Sequence, residues 1–598
     1  MAGTGVGRGR AAVIAFEQVT KDFPPAPRPA LQDVTVRIPA GAITGLVGPD
    51  GAGKTTFLRL AAGLLVPTRG RITVLERDTR QGLEFRDRLA YMPQKFGLYE
   101  DLTVLENLML YARLRGIPRA ERRASIDRLL GFTGLASFQG RLAGNLSGGM
   151  KQKLGLACSM LVRPEVMLLD EPGVGVDPIS RRELWKIVCE QRDQGVGIVW
   201  STPYLDEAER CDYVLVLYEG RVLYFGPPKE FTARVQGRTF LVEVPTQERR
   251  RLTRERLTDP EVVDTRIQGS RLRVVLRAGA DPAGKQAAGR GMTAAEPRFE
   301  DAFIDALGGV PKERIGPPGD GSPEAHHHEE AVAADDLVKR FGRFTAVDHV
   351  SFRVRRGEVF GLLGPNGAGK STTFRMLCGL AAPSAGRATV AGVDLGKARA
   401  EARRHVGYMA QKFSLYGNLT VRQNLEFFGG VYGLQGSRLA HAVERSLEEL
   451  ELRPFAGSNA GLLPLGFKQR LALAVAVMHR PAVVFLDEPT SGVDPLARRE
   501  FWLRIDRLVE EGAAVIVTTH FMDEAEYCDR LALINRGRVI AMDTPDAIRT
   551  AVRSPDLPHP TLEDAFLALL ERANDEEPTD RKAGATEPAV GGKEGHAG

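Results

Sequence analysis

Apolar residues along this chain fall mostly in short unbroken runs, and each run ends in a distinctive polar stretch. AITGLV (from Ala42) and EVFGLL (from Glu358) lead into glycine-rich segments, while VMLLDE (from Val166) and VVFLDE (from Val483) end in two carboxylates. Such runs predict buried strands. TFLRLAAGLL, from Thr56, carries a helical pattern, so strand, glycine loop and helix follow in order. TFLVEV (from Thr239) and RLRVVL (from Arg271) alternate instead, which predicts strands of a separate small unit.

These patterns occur twice. GPDGAGKTTFLRLAAGLL from Gly48 matches GPNGAGKSTTFRMLCGLA from Gly364. YMPQKFGLYEDLTVLENL from Tyr91 matches YMAQKFSLYGNLTVRQNL from Tyr408, and VMLLDEPGVGVDP matches VVFLDEPTSGVDP. The spacing between partners is nearly constant, which marks a duplicated domain. A weaker echo, RFEDAF from Arg298 and TLEDAF from Thr561, follows each copy. The expected organisation is a disordered N-terminus over 1–11, a first domain over 12–232 and a small appendage over 233–308. A Pro/Gly-rich linker over 309–330, a second domain over 331–550, a short appendage over 551–572 and a disordered tail over 573–598 complete it.

The bulk numbers narrow the class. The chain has 598 residues, 43% of them hydrophobic, with a formal net charge of only +5. No dense basic stripe accompanies that charge, so no nucleic-acid partner is expected. Five scattered cysteines without a CxxC pair fit reduced, mostly buried thiols. No run is long and apolar enough for a transmembrane helix, so any membrane role needs a partner chain. The Arg249–Arg251 run reads as a solvated face. His326–His328 beside Glu329 and Glu330 offers metal ligands or, as the plainer reading, a solvated linker.

The chemistry sits in the glycine loops. GPDGAGKT and GPNGAGKS both match G-x-x-x-x-G-K-[ST] in a strand–loop–helix setting. Gly48, Gly51, Gly53 and Gly364, Gly367, Gly369 let backbone N–H groups wrap phosphates, with Thr56 and Thr372 in the helical turn that follows. Lys54 and Lys370 neutralise the β/γ-phosphates of a nucleoside triphosphate, and Thr55 and Ser371 are placed to ligate Mg²⁺. Asp170 and Asp487 supply the Mg²⁺ carboxylate, and Glu171 and Glu488 are general-base candidates. These glutamates come one residue after the aspartates and so lie on the opposite face of a strand unless the chain turns there. LSGGMKQKLGLA, from Leu146, adds Ser147, Gly148 and Gly149 at a helix start suited to a γ-phosphate.

In this order and spacing the set resembles the ABC ATPase family, over roughly 12–232 and 331–550. The resemblance implies an α/β fold: two P-loop ATPase domains, each with an α-helical subdomain, plus small α/β appendages. It implies that Gln94 and Gln411 sense Mg²⁺ and the membrane partner, that Asp177 and Asp494 are D-loop residues, and that His520 is the switch histidine. It places Phe23 and Phe341 on the adenine ring, with a core role as the competing reading. It also implies ATP sites formed head to tail, with the Walker motifs of one half facing the signature of the other.

The copies depart from the pattern in complementary places. Pro203 stands where copy two has His520, and Pro464 and Leu465 replace the signature residues Ser147 and Gly148. Head-to-tail pairing puts these defects in one site. The other site, with Lys370, Asp487, Glu488, His520 and Gln411 facing Ser147–Gly149, is complete, and Glu171 lies in the degenerate one. TTHFMDEAEYCD, LEDAF and LPLGFKQR resemble the tandem ATP-binding subunits of bacterial ABC-2-type multidrug exporters. That implies ATP hydrolysis coupled to transport, two separate transmembrane permease subunits, and a peripheral place on the cytoplasmic face of the inner (plasma) membrane. Phe96, Leu98, Tyr99 and Phe413, Leu415, Tyr416 then either dock the permease or fill the helical subdomain. The alternative is a soluble, ribosome-associated tandem ABC ATPase.

Overall fold

The computed structural model describes residues 11–24, 28–82, 84–245, 248–281, 291–309, 329–411, 414–519, 521–558 and 560–575. The expected disordered N-terminus (all but Ala11) and tail beyond Asp575 lie outside the described residues. So do most of the linker with His326–His328, and the residues Phe413 and His520.

Each half is built on one six-stranded sheet. In the first, the order is Arg221–Gly226, Tyr213–Tyr218, Ile43–Val47, Gly197–Ser201, Val166–Asp170, Leu89–Met92. Only the outermost pair, Arg221–Gly226 with Tyr213–Tyr218, is antiparallel. The second half repeats the order with Arg538–Asp543, Arg530–Asn535, Val359–Leu363, Ala514–Thr519, Val483–Asp487 and Val406–Met409. The glycine-loop strands are central and buried at every position, which explains their unbroken apolar sequence. Register sets the site. Asp170 pairs with Ser201, and Leu46 with the same serine, so the carboxylate and the glycine loop emerge at one edge of the sheet. Asp487 and Thr518 repeat this. A four-stranded antiparallel sheet covers each half, and a helical layer carries the segments Thr103–Ser159 and Thr420–Val477. All five cysteines are free, and four are buried.

The appendage contains the two strands read from alternation, Thr239–Glu243 and Arg271–Leu276. They join Val262–Gln268 and Met292–Ala294 in an antiparallel sheet. Helix Phe299–Ala306 packs one side of it onto the first half, where Phe299 stacks near Phe231 with centroids 5.0 Å apart. The EDAF echo has a local cause. Asp301 accepts from the N–H of Arg298 at 2.7 Å, and Asp564 accepts from the N–H of Thr561 at 3.0 Å. Each aspartate thus caps its own helix start, and Phe303 or Phe566 anchors the next turn.

The Arg249–Arg251 expectation is corrected. Only Arg251 is exposed, pairing with Glu248 and Glu255 on its own helix. Arg249 is buried and the Arg250 side chain is only 11% exposed, because Asp529 and Asp506 of the second half supply counter-charges at 2.5 and 3.0 Å. The signal of a solvated run is local, whereas these partners lie far along the chain.

Asp301 also accepts from buried Arg273 at 2.6 Å and from Arg266 at 3.4 Å. Burial pushes its carboxyl up, but Arg266 and Arg273 outweigh that and hold it below the ordinary carboxylate range. Its contribution is therefore complete above that range and is lost as pH falls through the depressed value. Asp301→Ala leaves buried Arg273 without its counter-charge, while Arg266 keeps Glu300, and is expected to destabilise this unit by about 3–5 kcal/mol. Chemical denaturation monitored over the appendage checks this, and an unshifted transition would refute it.

Candidate functional site

In the first half the glycine loop holding Gly48, Gly51 and Gly53 runs into helix Lys54–Ala61. In the second, Gly364, Gly367 and Gly369 lead to helix Lys370–Leu377. Neither helix has an acid in its first turn, so each N-terminus presents free N–H groups and positive potential. Gly369 sits at φ +105° as the N-cap, and a Cβ there would lie 2.4 Å from the Ala346 carbonyl. Gly53 repeats this at φ +100°, 2.4 Å from the Ala30 carbonyl. Thr56 and Thr372 lie half-buried in the same helical turns.

Lys54 and Lys370 are buried and fold back onto their own loops. Lys370 Nζ donates to the carbonyls of Gly364 (2.7 Å) and Pro365 (3.0 Å), and Lys54 Nζ to those of Gly48 (2.7 Å) and Pro49 (3.2 Å). Burial lowers the Lys370 ammonium, and nearby Glu488, Asp487 and Asp177 oppose that shift. Asp177 belongs to the other half.

The carboxylates converge as the spacing implied. Thr55 Oγ1 lies 3.4 Å from Asp170 Oδ1, and Ser371 Oγ 3.5 Å from Asp487 Oδ1. The chain does turn after each aspartate, since Glu171 and Glu488 take positive φ, +54° and +47°. Each glutamate is therefore brought round to the aspartate's side, where Gln94 Nε2 reaches Glu171 at 2.6 Å and Gln411 Nε2 reaches Glu488 at 2.7 Å. Burial raises the carboxyls of Asp170, Glu171 and Asp487. Asp170 Oδ2 is buried with no partner, which suits an oxygen-seeking cation such as Mg²⁺.

Phe23 and Phe341 are 41% and 56% exposed, so neither is a core residue. Lys21 and Lys339 lie over their rings at 5.0 and 5.2 Å. Ser147 is exposed and accepts from the Met150 N–H, starting helix Gly148–Ser159. Gly149 is closely packed, as a Cβ there would be 2.5 Å from Ser180. In copy two, Pro464 heads helix Leu465–Val477 with no side-chain cap. Pro203 is buried in a tight turn whose flanks match around position 520. Thr202 Oγ1 accepts from Tyr204 N, and Thr519 Oγ1 from Phe521 N.

The halves meet at these loops. Asp494 Oδ2 accepts from the Asp50 N–H at 3.3 Å. A Cβ built on Gly148 would lie 3.8 Å from Asn366 Nδ2. Tyr204 and Phe521 pack ring to ring at 4.7 Å. Two differences between the copies were visible in the sequence but carried no weight there. Ser180 gives its hydroxyl to Asp177 Oδ2 at 3.0 Å, whereas the matching Ala497 leaves Asp494 Oδ2 free for Asp50. Asp50 replaces Asn366, and burial together with Asp494 pushes its carboxyl up to about 6.

The ABC transporter family model matches residues 31–174 and 347–491. Over 569 residues the chain is 54% identical to the probable multidrug ABC transporter ATP-binding protein YbhF of Escherichia coli (strain K12), covering 94% of this chain and 98% of that protein. It is 41% identical over 251 residues to the Nod factor export ATP-binding protein I of Paraburkholderia xenovorans (strain LB400), covering 41% of this chain and 83% of the relative. A solved structure of an ATP binding subunit of an ABC transporter is 29% identical, with a TM-score of 0.38, over 40% of this chain and 99% of that one.

Gly369→Ala must relieve both a positive φ and a 2.4 Å contact with backbone. The strain alone is about 1–2 kcal/mol, so nucleotide affinity is expected to fall by about tenfold or more. Titration with a fluorescent ATP analogue, with lysine-loop integrity checked by thermal melting, reads it. Unchanged affinity would show that the loop does not need this backbone shape.

Proposed function

The chain belongs to the ABC transporter family as an ATP-hydrolysing, ATP-binding subunit, and from that premise we propose that it powers a multidrug-type exporter with one hydrolytic and one mainly nucleotide-holding site. Its partners are two separate permease subunits, and it sits on the cytoplasmic face of the membrane they span. Among the described residues no helix is long and apolar enough to cross a membrane, which is consistent with a need for such partners.

The observation that carries the reading is the hydrogen bond from the Asp50 N–H to Asp494 Oδ2, across the two halves. Together with Gly148 beside Asn366, it supports head-to-tail pairing. In that arrangement the second P-loop faces Ser147–Gly149. The first faces Pro464 and Leu465 and also carries Pro203.

In the complete site, the loop N–H groups and Lys370 bind the phosphates and orient the γ-phosphate. Ser371, Gln411 and Asp487 would hold Mg²⁺ there, as Thr55, Gln94 and Asp170 would in the other site, and the ion supplies positive charge against the phosphate oxygens. Glu488 takes a proton from water as that water attacks the γ-phosphorus. The bond to the bridging oxygen breaks and ADP leaves with that electron pair. Gln411 fixes the carboxylate through its 2.7 Å bond. His520 is assigned to contact the γ-phosphate. Proline at 203 has neither a side-chain hydrogen-bonding group nor an N–H, so the first site lacks this element.

Transmission to the permeases runs through the helical layer. Tyr99 and Tyr416 are 54% and 48% exposed, whereas Phe96 packs on Tyr111 at 5.2 Å and Leu98 is half-buried. Tyr416 packs edge-on with Phe427, itself exposed. Leu462, 83% exposed, follows Gly461, whose N–H donates to the carbonyl of Gly417, the residue after Tyr416. Such an exposed apolar cluster fits a docking site for permease helices.

Glu488→Gln is expected to lower ATP turnover of the assembled transporter by at least about 10²-fold, and Glu171→Gln by no more than about threefold. Steady-state phosphate release measures both. Equal losses would end the asymmetric reading.

Phe427→Asp with Leu462→Asp puts charge into the apolar cluster without touching either nucleotide loop. Co-purification of the membrane partner is expected to fall severalfold while nucleotide binding by the free chain holds. Undiminished co-purification would move the docking site elsewhere.

A further inference from the structure

The appendage is much larger after the first copy than after the second, and nothing in ATP hydrolysis calls for it. It has two faces. Helix Phe299–Ala306 is sunk into the first half's core with Phe231. Helix Arg249–Thr258 and strand Val262–Gln268 face the second half. Asp264 pairs with Arg499 at 3.1 Å, with both side chains under 5% exposed, and Arg499 also donates to the Thr265 carbonyl. Arg250 reaches Asp506 at 3.0 Å and Asp529 at 2.5 Å, Arg249 reaches Asp529 at 2.5 Å, and Arg254 pairs with Glu510. Apolar residues of the appendage sheet, Leu272 and Val274 among them, belong to one buried cluster with Trp502, Ile505 and Val509 of the second half.

We propose that this unit, 239–309, is a standing clamp that grips the second half by contacts independent of nucleotide, so that the halves stay joined without ATP and the sites open by pivoting about it.

Location supports this. Asp506 and Glu510 lie near the end of helix Pro495–Glu510 opposite its cap Asp494, which meets Asp50. Asp529 accepts from the Val359 N–H at 2.8 Å, and Val359 begins the strand whose far end carries the second glycine loop. The Arg249, Arg250 and Arg254 contacts are thus on the ends of these elements remote from ATP, while Asp264 holds Arg499 in the helix's first turns. The chemistry also supports it. Four arginines (Arg249, Arg250, Arg254 and Arg499) and four acids (Asp264, Asp506, Glu510 and Asp529) that would be costly to bury alone are at most 18% exposed here, because each half supplies charges to the other. By contrast, the second copy's helix Leu562–Asp575 reaches the first half through Arg182–Glu563 and Arg210–Glu563, in which both arginines are over 40% exposed. Exposed pairs of that kind hold little.

The test uses the full chain with a protease recognition sequence placed within 310–328. After cleavage in nucleotide-free buffer, size exclusion with light scattering is expected to give one species at the mass of the intact chain. Two separated fragments would overturn the clamp. Arg250→Glu with Arg254→Glu is expected to make the cleaved halves elute apart without ATP, while the uncut variant still binds nucleotide, showing that it is folded. Arg254→Glu with Glu510→Arg restores one pair and is expected to co-elute. Co-elution of the cleaved Arg250→Glu/Arg254→Glu chain would remove these ion pairs from the role and overturn the proposal. The clamp does not rest on the transport reading, so either can fail alone.

Discussion

A guanidinium cannot be buried without a counter-charge except at a cost of several kcal/mol, and Arg499 is almost wholly buried. Its carboxylate, Asp264, belongs not to its own half but to the small sheet that follows the first. The second half's helix Pro495–Glu510 is therefore complete only when the appendage is in place. The same helix begins at Asp494, which reaches across to the first glycine loop. One helix thus has its nucleotide-facing cap and its buried charges satisfied by different parts of the preceding half. This coupling follows from desolvation, because neither charge has a cheaper arrangement in a low-dielectric interior.

The two copies share a backbone plan and diverge where side chains meet the other half. The D-loop aspartates show how small the difference is. Asp177 accepts from the Ser180 N–H at Oδ1 and from the Ser180 hydroxyl at Oδ2, so both oxygens are engaged locally. Ala497 has no hydroxyl, and Asp494 caps its helix with Oδ1 alone. Its second oxygen is then free to bond Asp50. An exact dimer could not hold this asymmetry. A fused chain can, because each copy meets only one partner.

Much of the phosphate site was legible because its demands are local. A strand, a glycine loop and a lysine at a helix start must be contiguous, so they appear as a motif. The repeat then placed Asp170 and Asp487 relative to them. The turn at Glu171 and Glu488 was legible only as a condition: extended backbone would misplace the glutamate, and positive φ resolves it. What the sequence hid was pairing at a distance. Arg249 and Arg250 read as solvated because their counter-charges, Asp506 and Asp529, are hundreds of residues away and carry no periodic signal. Phe23 and Phe341 were ambiguous for a related reason. An aromatic residue looks the same in sequence whether it fills a core or waits for a ring, and only its exposure separates the two.

Loss of chemistry at one site need not be loss of function. Nucleotide that binds the closed form stabilises it whether or not it is cleaved, by about 2.7 kcal/mol when its concentration is a hundred times the dissociation constant. A site with intact loops, Lys54 and Thr55 but with Pro203 in place of a histidine would keep that stabilisation through a cycle. Added to the contacts of the appendage, it would leave the first interface closed while the second opens and shuts. Hydrolysis would then have to release only one interface, and the free energy of each ATP would act on a pivot rather than on complete separation of the halves. In the first half Lys54, Thr55, Asp170 and Glu171 are all kept, and the changes fall at Pro203 and, on the half that head-to-tail pairing would bring opposite, at Pro464 and Leu465.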